Sequence, residues 1–240
     1  MDRPDIVAHR GGSAFPENSF AALRYACTLG VEQLEFDVHL TSDGELVIIH
    51  DVDLEQTTLG AGPVRELTLR ELAEVRLRRV DEGVPAFDDV MAFLATQSIH
   101  VRIEIKSDAR PGAYASLHER IMRALRRHDI AGRATVMSFE LDALAPFHPD
   151  GIETSLSFMR QGTMTPAAFD DLLGELRRTG VDDIGLSYGP TTRAMLEQVA
   201  RHGLTAGVWT VNGPGRLDYW LRMPVAYVLT DQPDLAVALR

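Results

Sequence analysis

Apolar and polar positions along this chain alternate between two periods. Short apolar runs at 6–10, 33–40, 101–106, 135–139, 153–158, 183–187, 205–211 and 226–230 read as strands buried on both faces. Amphipathic patterns with helical spacing follow most of them, at 19–29, 112–127, 141–145, 166–179, 191–202, 213–221 and 234–239. Eight parallel strands in alternation with helices predict an α/β chain folded as a (β/α)8 TIM barrel, and 240 residues match the ~250 typical of that fold. An open doubly wound sheet is the alternative, but no Gly-x-Gly-x-x-Gly follows the first strand.

One region interrupts the alternation. Thr41-Ser42-Asp43-Gly44 is a turn signal, and 45–50 returns as a short apolar strand, which predicts a hairpin. Residues 52–98 then carry Gly60, Gly62 and helical patterns at 68–74 and 88–95, and read as a short insertion within one domain spanning 1–240.

Composition narrows the class. A 45% hydrophobic content suits a single large core. The single cysteine, Cys27, excludes an internal disulfide and reads as a buried structural thiol. Met-Asp-Arg-Pro-Asp runs straight into the first strand with no export signal, and no run approaches the ~18 apolar residues of a membrane span, so a cytoplasmic chain without a membrane anchor is expected. A net charge of -11 argues against nucleic acid and anionic membrane as partners. The basic clusters RLRRV (76–80) and RALRRHD (123–129) read as solvated helix faces. Nothing in the composition speaks to the oligomeric state.

The candidate chemistry gathers at strand ends. Glu35 and Asp37 lie two apart on one strand and share a face; two like charges on a buried run need a cation between them. Oxygen donors select a hard ion, Mg2+ or Ca2+, over zinc. His9 and His50 end other strands and are the candidate acid and base, while Arg10 beside His9 suits phosphate oxygens. Glu104 and Lys106 share a face of the third strand, as an internal ion pair or as part of the same site, with Arg102 deeper on that face. His39 shares the face of Glu35 and Asp37, as a rim contact or with no role. His100 begins its strand at the opposite end and reads as structural. His118, His128, His148 and His202 fall in or near helices as surface or capping groups. Glu17 and Asn18 precede the first helix, where one of them is a candidate cap. Asp51 orients a neighbour or caps a turn. Trp209 fills core or walls the site, and Asp231 is a weaker candidate at the last strand end.

The ordered set His9-Arg10, Glu35-Phe36-Asp37 and His50-Asp51 resembles the glycerophosphodiester phosphodiesterases. PENS (16–19), TSDGELVIIHD (41–51), IEIK (103–106), VWTVN (208–212) and LTDQPD (229–234) extend the likeness over about 7–233. Gln56 and VPAFDDV (84–90) depart from the usual pattern at the substrate rim. The resemblance implies hydrolysis of a small-molecule glycerophosphodiester to sn-glycerol 3-phosphate and an alcohol. It implies His9 and His50 as catalytic groups, Glu35, Asp37 and Glu104 as ligands of the divalent cation, and Arg10, Lys106 and Trp209 as substrate-binding groups. With that cation, the three carboxylates, Arg10 and Lys106 leave one net positive charge, which a phosphodiester monoanion neutralises. It also implies an insertion lying over the barrel mouth, here short enough to leave an open site. A phospholipase D-type activity on lysophospholipids and a non-catalytic phosphate-ester-binding barrel are the alternatives. No serine or cysteine stands in a recognisable nucleophile motif.

Overall fold

The computed structural model describes residues 3–106, 113–147 and 155–240; His148, the helix start at Gly112 and the strand start at 153–154 lie outside them. Nine strands are present among the described residues: β1 (Asp5–Ala8), β2 (Gln33–Leu40), β3 (Leu46–Ile48), β4 (His100–Ile105), β5 (Ala134–Ser138), β6 (Ser155–Arg160), β7 (Asp183–Ser187), β8 (Thr205–Trp209) and β9 (Tyr227–Thr230). Eight are parallel in the order β1-β9-β8-β7-β6-β5-β4-β2, and β1 pairs with β2 to close the barrel. The ninth, β3, pairs antiparallel with β2 as the arm of the expected hairpin.

Period 2 sorts β2 between two environments. Leu34, Phe36 and Val38 join the core between barrel and helices, while Glu35, Asp37 and His39 face the other way, and all six are buried. Register sets the depth: Glu35 sits beside Arg102 of β4, and Asp37 beside Glu104. Arg102 belongs to the layer that seals the barrel floor. Its Nε donates to Gln33 Oε1 at 2.6 Å, its NH2 meets Asp183 Oδ2 at 3.3 Å, and its guanidinium lies 3.7 Å from the Tyr227 ring centroid. Gly207 is required here, because a Cβ on it would collide with that buried ring. The floor is thus packed, with only Arg102 NH1 left without a hydrogen bond in this layer among the described residues, and chemistry is left to the strands' C-terminal ends.

The segment after β3 divides in two. Leu54, Val64, Leu72, Leu77 and Val84 close on Val47 and Ile49 as a small separate core. It carries the short helix α2 (Leu69–Glu74), whose Thr68 and Glu71 form a reciprocal capping box. By contrast α3 (Phe87–Leu94) buries Phe87, Val90, Met91 and Leu94 in the main core, so the part lying apart from the barrel ends near Ala86 and not at Ser98. RLRRV is not a helix: Arg76 bridges Gly83 and Leu77 N donates to Glu82 O, which makes it one side of a hairpin loop. No helix among the described residues is long and apolar enough to cross a membrane.

Candidate active site

The chain leaves β1 in a tight left-handed step. His9–Gly11 forms a 3-10 turn in which Arg10 holds φ 52°, followed by Gly11 and Gly12 at 84° and 88°. A side chain in that region costs roughly 1 kcal/mol. Part of that is offset because Arg10 N donates to Glu35 Oε2 at 3.0 Å. The step ends β1 at Ala8 rather than Arg10 and turns both His9 and Arg10 over the barrel mouth. Helix α1 (Phe20–Ala26) starts directly afterwards, and its cap is Ser19, whose Oγ accepts from Ala22 N. The capping role expected of Glu17 or Asn18 is therefore Ser19's. Asn18 instead donates to Asp37 Oδ2 at 2.8 Å and accepts from Asp37 N, while Glu17 Oε1 meets Arg10 NH1 at 3.0 Å.

Three carboxylates converge below this turn. Oxygens of Glu35, Asp37 and Glu104 lie within 4.8 Å of one another, all buried. Arg10 Nε stands 3.1 Å from Asp37 Oδ2, and Lys106 Nζ stands 2.5 Å from Glu104 Oε1 and 3.5 Å from Asp37 Oδ1. Burial, and then Asp37, push the Glu35 carboxyl well above its usual range. Burial alone would raise Asp37 too, but Lys106 and Arg10 hold it low. Burial and Asp37 raise Glu104 as well, against Lys106. Glu35 Oε1 and Asp37 Oδ1 are buried with no hydrogen-bond partner. Two orphaned carboxylate oxygens beside a third acid fit a hard divalent cation, which would satisfy both at once.

Two imidazoles flank the cluster, each tethered through Nδ1. His9 Nδ1 meets Asp231 Oδ1 at 2.6 Å and its Nε2 lies 3.9 Å from Glu35 Oε2. Burial lowers the His9 pKa, but the Asp231 bond and Glu35 outweigh it and raise it overall. His50 Nδ1 meets Asp51 Oδ1 at 2.8 Å, so Asp51 orients its neighbour. His39 Nε2 donates to the His50 carbonyl at 3.0 Å, and burial pushes the pKa of that ring down. Trp209 ends β8, with Nε1 donating to Gly185 O and its ring edge-on to Phe139 at 5.2 Å.

The structure thus gathers His9, Arg10, His50 and Lys106 around the three carboxylates, while Trp209 stands at the C-terminal end of β8. Asp231 has a larger part than the sequence suggested, since an acid at a strand end has many ordinary explanations and its partner lies 222 residues away. Asn212, within VWTVN, donates to Asp231 Oδ2 at 2.6 Å, a role that no spacing along the sequence marks. His100 reaches Thr135 Oγ1 at 2.8 Å at the far end of the barrel, away from the mouth.

Comparison with known proteins supplies a family and a fold. A relative from Caldanaerobacter subterraneus, named glycerophosphodiester phosphodiesterase, is 26% identical over 98% of this chain and 96% of its own. The crystal structure of a glycerophosphodiester phosphodiesterase from Parabacteroides distasonis superposes with a TM-score of 0.86 at 24% identity, covering 100% of this chain and 97% of that one. An Oleispira antarctica phosphodiesterase, solved with the product sn-glycerol-3-phosphate, gives 0.87 at 21% identity over 99% and 96%. The model of the glycerophosphoryl diester phosphodiesterase family matches residues 9–235, and the chain belongs to that family.

Proposed function

We propose that the chain hydrolyses a glycerophosphodiester to sn-glycerol 3-phosphate and a free alcohol, with His9 and His50 as the acid–base pair. The carrying observation is the pair of imidazoles, each tethered by a carboxylate at Nδ1, on a cluster that holds three carboxylates, an arginine and a lysine. A carboxylate at Nδ1 fixes the tautomer and leaves Nε2 for the substrate. One Nε2 takes the proton of the adjacent glycerol hydroxyl as it attacks phosphorus, the other protonates the departing alkoxide, and water then opens the cyclic phosphate to glycerol 3-phosphate. The product complex of the similarly folded Oleispira antarctica enzyme supports this substrate class.

Glu35, Asp37 and Glu104 would hold the divalent cation, Mg2+ or Ca2+, which supplies positive charge against the phosphoryl oxygens and orients them. Arg10 and Lys106 add fixed positive charge at the same place, and Trp209 with Phe139 walls one side for the glycerol. The test is purified protein on glycerophosphocholine, with enzymatic detection of glycerol 3-phosphate, with and without Mg2+. Release of choline phosphate instead, or no cleavage of any glycerophosphodiester, refutes the reading.

A further inference from the structure

A cleft of about 450 Å³ opens from His9 and Arg10 toward the insertion, its lining including Phe15, Thr57, Arg78 and Arg79. The two acids that also line it are engaged, Glu17 with Arg10 and Asp231 with His9. Neither Arg78 nor Arg79 pairs with a carboxylate among the described residues. Arg78 NH2 donates to the Glu55 carbonyl at 3.0 Å, and the adjacent Arg76 takes Asp81 at 3.2 Å. Arg79 holds φ 70° at the hairpin loop, a conformation that glycine or asparagine would occupy more easily. Thr57 Oγ1 is buried without a hydrogen-bond partner. In a chain of net charge -11, two unneutralised arginines beside a free hydroxyl make this wall of the site a place for an anion.

Trp209 pairs edge-on with Phe139, whereas this cleft, though Phe15 and Pro16 also line it, carries the cationic Arg78 and Arg79. We infer that the cleft is the alcohol-side subsite, and that Arg78 and Arg79 select diesters whose leaving alcohol carries its own carboxylate or phosphate. The inference rests on the proposed hydrolysis and names its preferred substrates.

Four glycerophosphodiesters test it: those of choline, of its uncharged carbon isostere, of a hydroxyalkyl carboxylate and of a hydroxyalkyl phosphate. At low salt, kcat/KM for the two anionic diesters should exceed that of the isostere about tenfold, the scale of two partly screened ion pairs, and choline should be poorest. Salt should shrink the preference. The double variant Arg78→Gln/Arg79→Gln should remove it while leaving the isostere within about twofold. The carboxylate and phosphate arms show which anion is favoured. An equal loss on all four diesters, an unchanged ratio, or a preference for choline overturns the inference. Calorimetric binding of the matching non-hydrolysable phosphonates reads the same ratio without turnover. Selective binding by a protein that cleaves none of the diesters would keep the subsite and refute only the hydrolysis; unselective binding refutes the subsite.

Discussion

Asp231→Asn isolates the tether behind His9 while changing almost no volume. Asp231 Oδ1 accepts from His9 Nδ1 at 2.6 Å, and Oδ2 accepts from Asn212 Nδ2 at 2.6 Å. Asn212 cannot turn its amide over, because its Oδ1 accepts from Asp231 N at 3.0 Å and from Thr230 Oγ1 at 3.1 Å. An asparagine at 231 must therefore aim its NH2 either at the Asn212 NH2 or at His9 Nδ1. The first choice sets donor against donor, and the second forces the proton onto Nε2, the atom left for the substrate. The same exchange behind the histidine of a serine protease triad lowers kcat about 10⁴-fold for this reason. Here a loss of about 10²–10⁴-fold in kcat is expected, with KM moved far less. Since Asp231 helps to raise the His9 pKa, the His9 limb of the kcat/KM–pH profile should also shift to lower pH. The assay is release of glycerol 3-phosphate across a pH series, with a thermal melt to confirm folding. A variant that melts normally, works within about fivefold of the parent and keeps the parental profile would refute the tautomer argument.

Other expected outcomes follow from the same geometry. Chelation should abolish turnover, and added Mg2+ or Ca2+ should stabilise the parent by about 2–3 kcal/mol at a hundredfold excess over Kd but not Glu104→Gln; full activity in chelator would sink the cation assignment. His9→Ala and His50→Ala should each lower kcat by about 10²–10⁴-fold and the double variant by far less than the product, whereas a single variant within a few-fold of parent contradicts the pairing. His100 is held down to about 4 by burial and by Arg102, so the folded state refuses a proton that the unfolded chain accepts near 6.5. The stability is complete above that value and should fall by on the order of 2–3 kcal/mol as pH drops toward 4, a loss that His100→Gln should lessen in denaturant melts; an identical pH slope in parent and variant contradicts this.

Periodicity alone made the barrel legible. Strands buried on both faces read as continuous apolar runs, and helices between them carry a 3.6 period, so their order and type are local properties of the sequence. The pairing of Glu35 with Asp37, and of Glu104 with Lys106, was legible for the same reason, since a strand must point alternate residues the same way. Element ends were less legible. The turn at His9–Gly11 depends on Arg10 accepting a left-handed conformation, which Glu35 stabilises from another strand. RLRRV has the composition of a helix face, yet pairing with 57–59 and 82–83 draws it into a hairpin loop over the cleft.

The sequence by itself therefore determined the architecture and which side chains share a strand face, because both follow from spacing along a few residues. Only the tertiary structure decided which acid serves which histidine, that Asn18 and Asn212 hold those acids, and that Arg78 and Arg79 face the site. Those relations join residues whose distance in space is fixed by barrel closure between β1, β2 and β9 and by the insertion's own core, and no local period encodes either.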